Sequence, residues 1–172
     1  MEKEQRQIAP KNYVFFVIMC ILTVFIVVYL GMWYDARATY YRNNSIMSNL
    51  LSEIHEQEVS TYVLENPDAI IYVVSSKDGY VKNFEKKFRK LILKYNLNNQ
   101  FIYIDSSING NLNNEFRKLP SYIGARTYDL NSGVNIIVFE NGKIKALFHK
   151  DSDSIDIEPV ENFLEAYGVI EE

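Results

Sequence analysis

Residues 71–88 have the sequence IYVVSSKDGYVKNFEKKF. The stretch begins within a short apolar, β-branched run, Ala69–Val74, which is too short for a helix and predicts a buried strand. It ends within a helical pattern, because the apolar residues between Tyr80 and Leu97 recur on one face. Strand-to-helix turns often hold an anion or a reactive group, so the turn between them is our first candidate binding site. Its residues are Ser75, Ser76, Lys77, Asp78 and Gly79.

Three interpretations of this turn remain open. The unpaired amides at the start of a helix can bind an anion with help from Lys77, although Asp78 would repel it. Alternatively, Ser76 or Asp78 caps the helix by accepting an amide hydrogen bond, and Gly79 eases the turn. The third interpretation is an enzyme with a polar site at residues 75–78. Alanine substitution of Ser76 or Lys77 would distinguish that enzyme from a binding protein.

The flanking patterns complete an alternating order of helices and strands. Two short helices are predicted before the first strand, one from Ser45 to Ile54 and one over Glu58–Glu65. The elements predicted after it are a strand at Phe101–Ile104, a helix at Asn114–Leu119, strands at Val134–Phe139 and Lys143–Phe148, and a final helix with Pro159 in its first turn and Gly168 at its end. Asn141-Gly142 between the last two strands predicts a tight hairpin, because both residues accept positive φ.

This order predicts an α/β fold. The strand–helix–strand unit should be parallel, and the hairpin adds an antiparallel pair. We therefore expect a four-stranded mixed sheet with helices on both faces.

An apolar segment precedes this domain. Tyr13–Trp33 contains 21 uncharged residues, enough to cross the ~30 Å hydrocarbon core of a bilayer. The alternative is a cleaved signal peptide, but signal cores span only ~7–15 residues. We predict a cytoplasmic tail (1–12), a transmembrane helix (13–34), a connector or juxtamembrane helix (35–57) and the α/β domain (58–172). A slight excess of basic residues before the span predicts a single-pass protein with its domain outside the cell membrane.

The predicted hairpin, IIVFENGKIKALF at 136–148, is similar to that of thioredoxins, and the layout from Val59 to Ile170 resembles the thioredoxin fold. In that family a Cys-x-x-Cys tetrad follows the first central strand, and a cis-proline precedes the hairpin. The corresponding positions here are Asp78-Gly79-Tyr80-Val81 and Val134, so neither feature is present. The chain also resembles the membrane-anchored, thioredoxin-like accessory proteins of bacteriocin export in Gram-positive bacteria, which usually retain a cysteine pair.

The amino-acid composition limits which reactions and ligands the domain can support. The one cysteine, Cys20, lies in the apolar segment, and thiol–disulfide exchange needs a thiolate, so we expect a redox-inactive domain. The net charge of -4 gives no indication of nucleic acid as a partner. The two histidines are far apart, and no pattern indicates a metal or a cofactor.

Charge is unevenly distributed along the domain. Between residues 77 and 94 there are seven cations and two anions, and between 151 and 172 there are eight carboxylates and no cation. The basic face of the predicted helix comprises Lys82, Lys86, Lys87, Arg89, Lys90 and Lys94. It could contact lipid headgroups, anionic polymers or an acidic protein, pair with the acidic end of the same chain, or be solvated.

We therefore expect a non-catalytic scaffold or accessory subunit of a bacterial membrane, in contact with the lipid bilayer and with a protein partner. Val134 and the turn 75–79 are candidate binding residues. The alternatives are an enzyme with a polar site at the turn and a substrate-holding chaperone.

Overall fold

A computed structural model describes residues 10–43, 45–107, 110–119, 129–151 and 155–170. The chain divides into two compact units between Thr39 and Tyr40. The first unit consists of most of helix α1, Pro10–Asn43. Within it, the 27 residues Lys11–Arg37 are exposed and are long and apolar enough to cross a membrane, a property that a signal sequence would share.

The second unit is built on one mixed sheet of five strands. The strands are β1 (Ser52–Glu53), β2 (Ile70–Val74), β3 (Phe101–Asp105), β4 (Val134–Glu140) and β5 (Lys143–Lys150), in the order β1-β3-β2-β4-β5. Strand β3 is parallel to both β1 and β2, whereas β4 is antiparallel to β2 and β5. The predicted parallel pair and antiparallel hairpin are confirmed, as are the α/β class and the predicted order of the elements from α2 onward.

The strand count of four was wrong, because β1 forms a fifth strand at the edge. It lies in the segment 35–57, which was predicted to be a connector or juxtamembrane helix. Helix α1 ends at Asn43, and the chain then passes through turns whose Met47 and Leu51 are buried in the core. The spacing of the apolar residues predicted a helix from Ser45 to Ile54. Ser52 and Glu53 instead form a strand, because β1 pairs in parallel with Ile102 and Tyr103 of β3.

Helices cover both faces of the sheet, as predicted. They are α2 (Val59–Glu65, preceded by a 3-10 turn at Glu56–Glu58), α3 (Val81–Lys94), α4 (Leu112–Arg117) and α5 (Glu158–Ala166). Alternate residues of β2 enter two cores: Tyr72 and Val74 pack with α3 and α5, whereas Ile71 and Val73 pack with α2 and α4. Strands β2, β3 and nearly all of β4 are therefore buried.

The predicted hairpin turn is confirmed in its geometry. Asn141 and Gly142 have φ values of 53° and 72°, the left-handed conformation that a two-residue turn between twisted strands requires. Gly168 (φ 72°) follows α5, and the Val169 amide donates to the Leu164 carbonyl at 2.9 Å, which ends that helix.

Candidate functional site

The predicted polar turn follows β2, and its serines are buried rather than displayed. Ser75 and Ser76 are each 7% exposed. The carboxylate of Asp105, at the end of β3, accepts hydrogen bonds from the amides of Ser76 (3.2 Å) and Ser107 (2.9 Å) through Oδ1. Since β2 and β3 are parallel, their carboxyl ends meet at one edge, and Asp105 fastens the two following turns together.

The side chains of the turn are also bound internally. The hydroxyls of Ser76 and Ser107 lie 2.9 Å apart, and the Lys77 ammonium donates to the Ser107 carbonyl. Two of the four residues proposed for a polar catalytic site, Ser76 and Lys77, are thus joined to the loop after β3. The Ser76 hydroxyl and the Lys77 ammonium therefore bind to other residues of the protein.

Tyr80 closes the outer side of this turn. Its hydroxyl lies 3.0 Å from Oδ1 of Asp151 and 3.3 Å from Oδ2 of Asp78. Burial and the hydrogen bond to Asp151 raise the pKa of Tyr80 well above its ordinary value. Two carboxylates beside a phenol make this position unfavourable for an anion.

The prediction that Ser76 or Asp78 caps α3 through its side chain was wrong. The N-cap residue is Tyr80, and it makes no side-chain cap hydrogen bond; instead the Val81 amide donates to the Asp78 backbone carbonyl at 3.1 Å. Ser76 presents its own amide to Asp105, as described above. Asp105, which is 29 positions from Ser76 in the chain, therefore holds this turn in place. The local sequence pattern had assigned that role to the side chains of the turn itself.

Val134 and Val81, which the resemblance to thioredoxins placed at the cis-proline and second-cysteine positions, are core residues. Val134 is 0% exposed and begins β4, opposite Val74 of β2. Val81 is 1% exposed at the start of α3. Neither side chain is available to a ligand on the surface of the described chain.

The basic face of α3 has two flanks with different surroundings. On one flank, Lys87 lies 3.2 Å from Asp156, and Lys94 lies 2.9 Å from Glu161 of α5. The Tyr95 hydroxyl also donates to Glu161 at 2.8 Å. This flank bears out the interpretation in which basic residues pair with the acidic end of the same chain.

We call the opposite flank the basic stripe; it consists of Lys82, Lys86, Arg89 and Lys90. Within the described ranges, none of these four cations has an ion-pair partner within 4.0 Å. Their spacing of three and four residues places them along one side of the helix. Leu93, which is 54% exposed, continues the same line by one turn.

A buried carboxylate, Glu85, was missed by sequence reasoning. It is 1% exposed on the inner side of α3, where Oε1 accepts from the Ser45 hydroxyl (3.3 Å) and Oε2 from the Ile46 amide (3.0 Å). Burial raises the pKa of Glu85 to about 7, against the opposing effect of these hydrogen bonds. A signal existed, because Glu85 follows Val81 by four residues and precedes Phe88 by three, on the apolar side.

Comparisons with known proteins found similar solved structures but no similar sequence family. No protein-family model matches the chain, and no curated protein matches it. The crystal structure of Chlamydomonas reinhardtii thioredoxin f2 is similar to it, with 11% sequence identity and a TM-score of 0.49. The alignment covers 70% of this chain and 99% of that chain. At this identity the likeness implies nothing about activity.

Proposed function

We propose that this protein is a non-catalytic, membrane-tethered scaffold or accessory subunit that binds an acidic surface of another membrane or envelope protein through the basic stripe. Helix α1 serves as a single-pass anchor, with the α/β domain on the outer side. The observation that carries the proposal is the division of α3 into one flank with ion pairs and one flank that has none with any residue the structure describes.

The ion pairs within this chain indicate what kind of partner surface would bind the basic stripe. Asp156 and Glu161, from the acidic segment at the end of the chain, are the groups that pair with Lys87 and Lys94. A partner segment with similarly placed carboxylates would complement the basic stripe in the same manner. Leu93 would add an apolar contact beside the charges.

Electrostatics of this kind suits a recognition role. Exposed charge pairs add little affinity, but complementary patches steer association and reject partners of the same sign. An anchor compensates for modest affinity, because it confines the domain to the membrane surface and raises its effective concentration for neighbours there.

Catalysis at the turn has less support than binding. The side chains of Ser76 and Lys77 are engaged with Ser107, and Tyr80 lies between two carboxylates. The only cysteine of the sequence is Cys20, in α1. Binding by the outer face of α3 requires none of these groups.

Site-specific crosslinking in native membranes tests the proposal. A photoreactive amino acid replaces Lys86 in the basic stripe or, as a control, Lys143 on β5; both residues are exposed. We expect a discrete protein adduct at position 86 that weakens with added salt. The adduct should disappear in the variant Lys86→Glu/Arg89→Glu/Lys90→Glu, with the crosslinker moved to position 82.

A charge-matched variant makes the result specific. Arg117→Glu/Lys143→Glu/Lys150→Glu changes the net charge equally at exposed positions outside the basic stripe, and it should keep the adduct. Loss of the adduct in both variants, or adducts with lipid alone, would contradict binding of a protein by the stripe. Loss of function in Ser76→Ala or Lys77→Ala, with the fold and the adduct intact, would favour an enzyme instead.

A further inference from the structure

The contact between Glu85 and the residues just after α1 has a role that the proposed function does not use. The carboxylate lies on α3, and its two donors belong to the segment that joins α1 to β1 in the chain. Ser45 is 4% exposed, and the same segment contributes Met47 and Leu51 to the core. Glu85 is therefore the buried polar attachment between this segment and the helix that bears the basic stripe.

The surroundings of Glu85 contain little positive charge. On its own helix, Lys82 is the cation near enough to favour the ionised form, whereas Asp105 of β3 disfavours it. Two phenols, Tyr72 of β2 and Tyr103 of β3, also face this region. The Tyr72 hydroxyl has no hydrogen-bond partner among the described residues, whereas the Tyr103 hydroxyl interacts with the side chain of Ser45. Burial, with Glu85 and Asp105 contributing, raises the pKa of both phenols. Among the described residues, Lys82 forms no ion pair with Glu85 within 4.0 Å, so its charge only partly offsets the burial of the carboxylate.

The donor set at Glu85 is compatible with a carboxyl group in either protonation state. The Ile46 amide can only donate, and it occupies Oε2. The Ser45 hydroxyl can donate to an ionised Oε1 or accept from a protonated one. Protonation thus removes a buried charge without removing either hydrogen bond.

We propose that the Glu85–Ser45–Ile46 contact is a proton-dependent latch, which holds segment 45–51 on the domain when Glu85 is protonated and loosens when Glu85 ionises. When the segment leaves, water reaches the carboxylate and the ionised form is no longer penalised. The closed state therefore binds the proton more tightly than the open state, so acid closes the latch and alkali opens it. The latch would link the conformation of the chain after α1 to ambient pH.

Amide hydrogen exchange of the full chain in detergent micelles tests the latch. The rates for residues 46–51 are measured from pH 5 to pH 8 and corrected for the intrinsic pH dependence of exchange. We expect these amides to exchange faster than those of β2 and β4. Their protection should fall by roughly 70-fold over this range, the factor that carboxyl pKa values of about 7 closed and 4.5 open imply.

Glu85→Gln is the decisive variant, because glutamine keeps the shape of the protonated acid and cannot ionise. Its 46–51 protection should vary less than about threefold over the same range. Glu165→Gln, at an exposed position of α5, should behave as the unaltered protein does. The latch is overturned if Glu85→Gln retains the full pH dependence, or if residues 46–51 exchange only as slowly as β2 and β4.

A direct titration covers the case in which Glu85→Gln does not fold. The side-chain carboxyl carbon of Glu85 is followed by NMR in the unaltered, isotope-labelled chain. A midpoint near 7 supports the latch, whereas a midpoint near 4.5 overturns it, since the closed state would then have no preference for the proton.

Discussion

Glu85 and Glu161 are carboxylates on α3 and α5 that each accept two hydrogen bonds, yet their pKa values shift in opposite directions. Glu161 accepts hydrogen bonds at 2.9 and 2.8 Å from Lys94 and Tyr95, and Lys94 lowers its pKa. Glu85 accepts at 3.3 and 3.0 Å, yet burial raises its pKa to about 7. Each carboxylate accepts two hydrogen bonds, so the number of hydrogen bonds does not decide the protonation of these groups; the counter-charge and the access of water account for the difference.

The comparison separates the polar groups of the domain into two regions. At the carboxyl end of β2 and β3, polar groups are enclosed, and an unmade hydrogen bond there costs its full desolvation energy. On the surface between α3 and the acidic segment, ion pairs compete with water and salt. Substitutions in the first region should have large effects, and those in the second should have small ones.

The largest effect is expected from Asp105→Ala. The change removes the acceptor for the amides of Ser76 and Ser107 in a buried site, so two donors lose their partner. We expect the free energy of unfolding to fall by about 3 kcal/mol, measured by urea denaturation in detergent with near-UV circular dichroism of the tyrosines. Asp105→Asn keeps one acceptor oxygen and is the control; a loss as large as that of alanine would show that the charge, and not the acceptor, matters.

The next effect concerns pH and Glu85. The folded protein binds a proton at Glu85 more tightly than the unfolded chain, so its contribution to stability is present below pH 4.5 and is lost as pH rises to about 7. The difference between the pKa values 4.5 and about 7 corresponds to about 3 kcal/mol. Glu85→Gln should remove this loss, and the two proteins should diverge in urea midpoint between pH 5 and pH 8.

The stability measurement must be a difference between the unaltered protein and Glu85→Gln, because Glu56 also contributes to the pH dependence. Burial also raises the pKa of Glu56, so its ionisation destabilises the fold in the same direction. That contribution is common to the unaltered protein and Glu85→Gln, and it cancels between them. Parallel stability curves for the two proteins would contradict the assignment to Glu85.

A smaller effect of opposite sign is expected from Tyr72→Phe. The Tyr72 hydroxyl is buried without a hydrogen-bond partner among the described residues, while its ring packs 4.8 Å from that of Phe88, between centroids. Phenylalanine keeps the ring and removes the unsatisfied hydroxyl, so stability should rise by about 1 kcal/mol. A marked loss in urea denaturation would mean that the hydroxyl has a partner, such as an enclosed water.

Local patterns in the sequence predicted most of the fold. The β-branched runs gave β2 and β3, Asn141-Gly142 gave the hairpin, and the apolar periodicity gave α3 to within a few residues at each end. The pattern that predicts each of these elements lies within the element itself or in the few residues beside it. The two-residue strand β1 has no such pattern, because it exists only through pairing with β3.

The candidate site was less predictable for the same reason. The sequence located the polar turn at residues 75–79, but Asp105 and Ser107, which fix that turn, follow a different strand. Glu85 has the helical spacing of the apolar side of α3, but lysines follow it in the chain, so the local pattern also fits a solvated residue. Its burial follows from segment 45–51, whose conformation was itself predicted incorrectly.

The smallest effect is expected on the exposed flank of α3. Lys87 and Asp156 are 3.2 Å apart, but their side chains are 52% and 80% exposed, so water and salt replace most of the interaction. Lys87→Ala should change the free energy of unfolding by less than about 0.5 kcal/mol, and Lys86→Ala, which removes a cation without an ion pair among the described residues, should match it. A double-mutant cycle with Asp156→Ala measures the pair directly. A coupling energy above about 1 kcal/mol would place this pair with the enclosed groups and remove the distinction between the two regions.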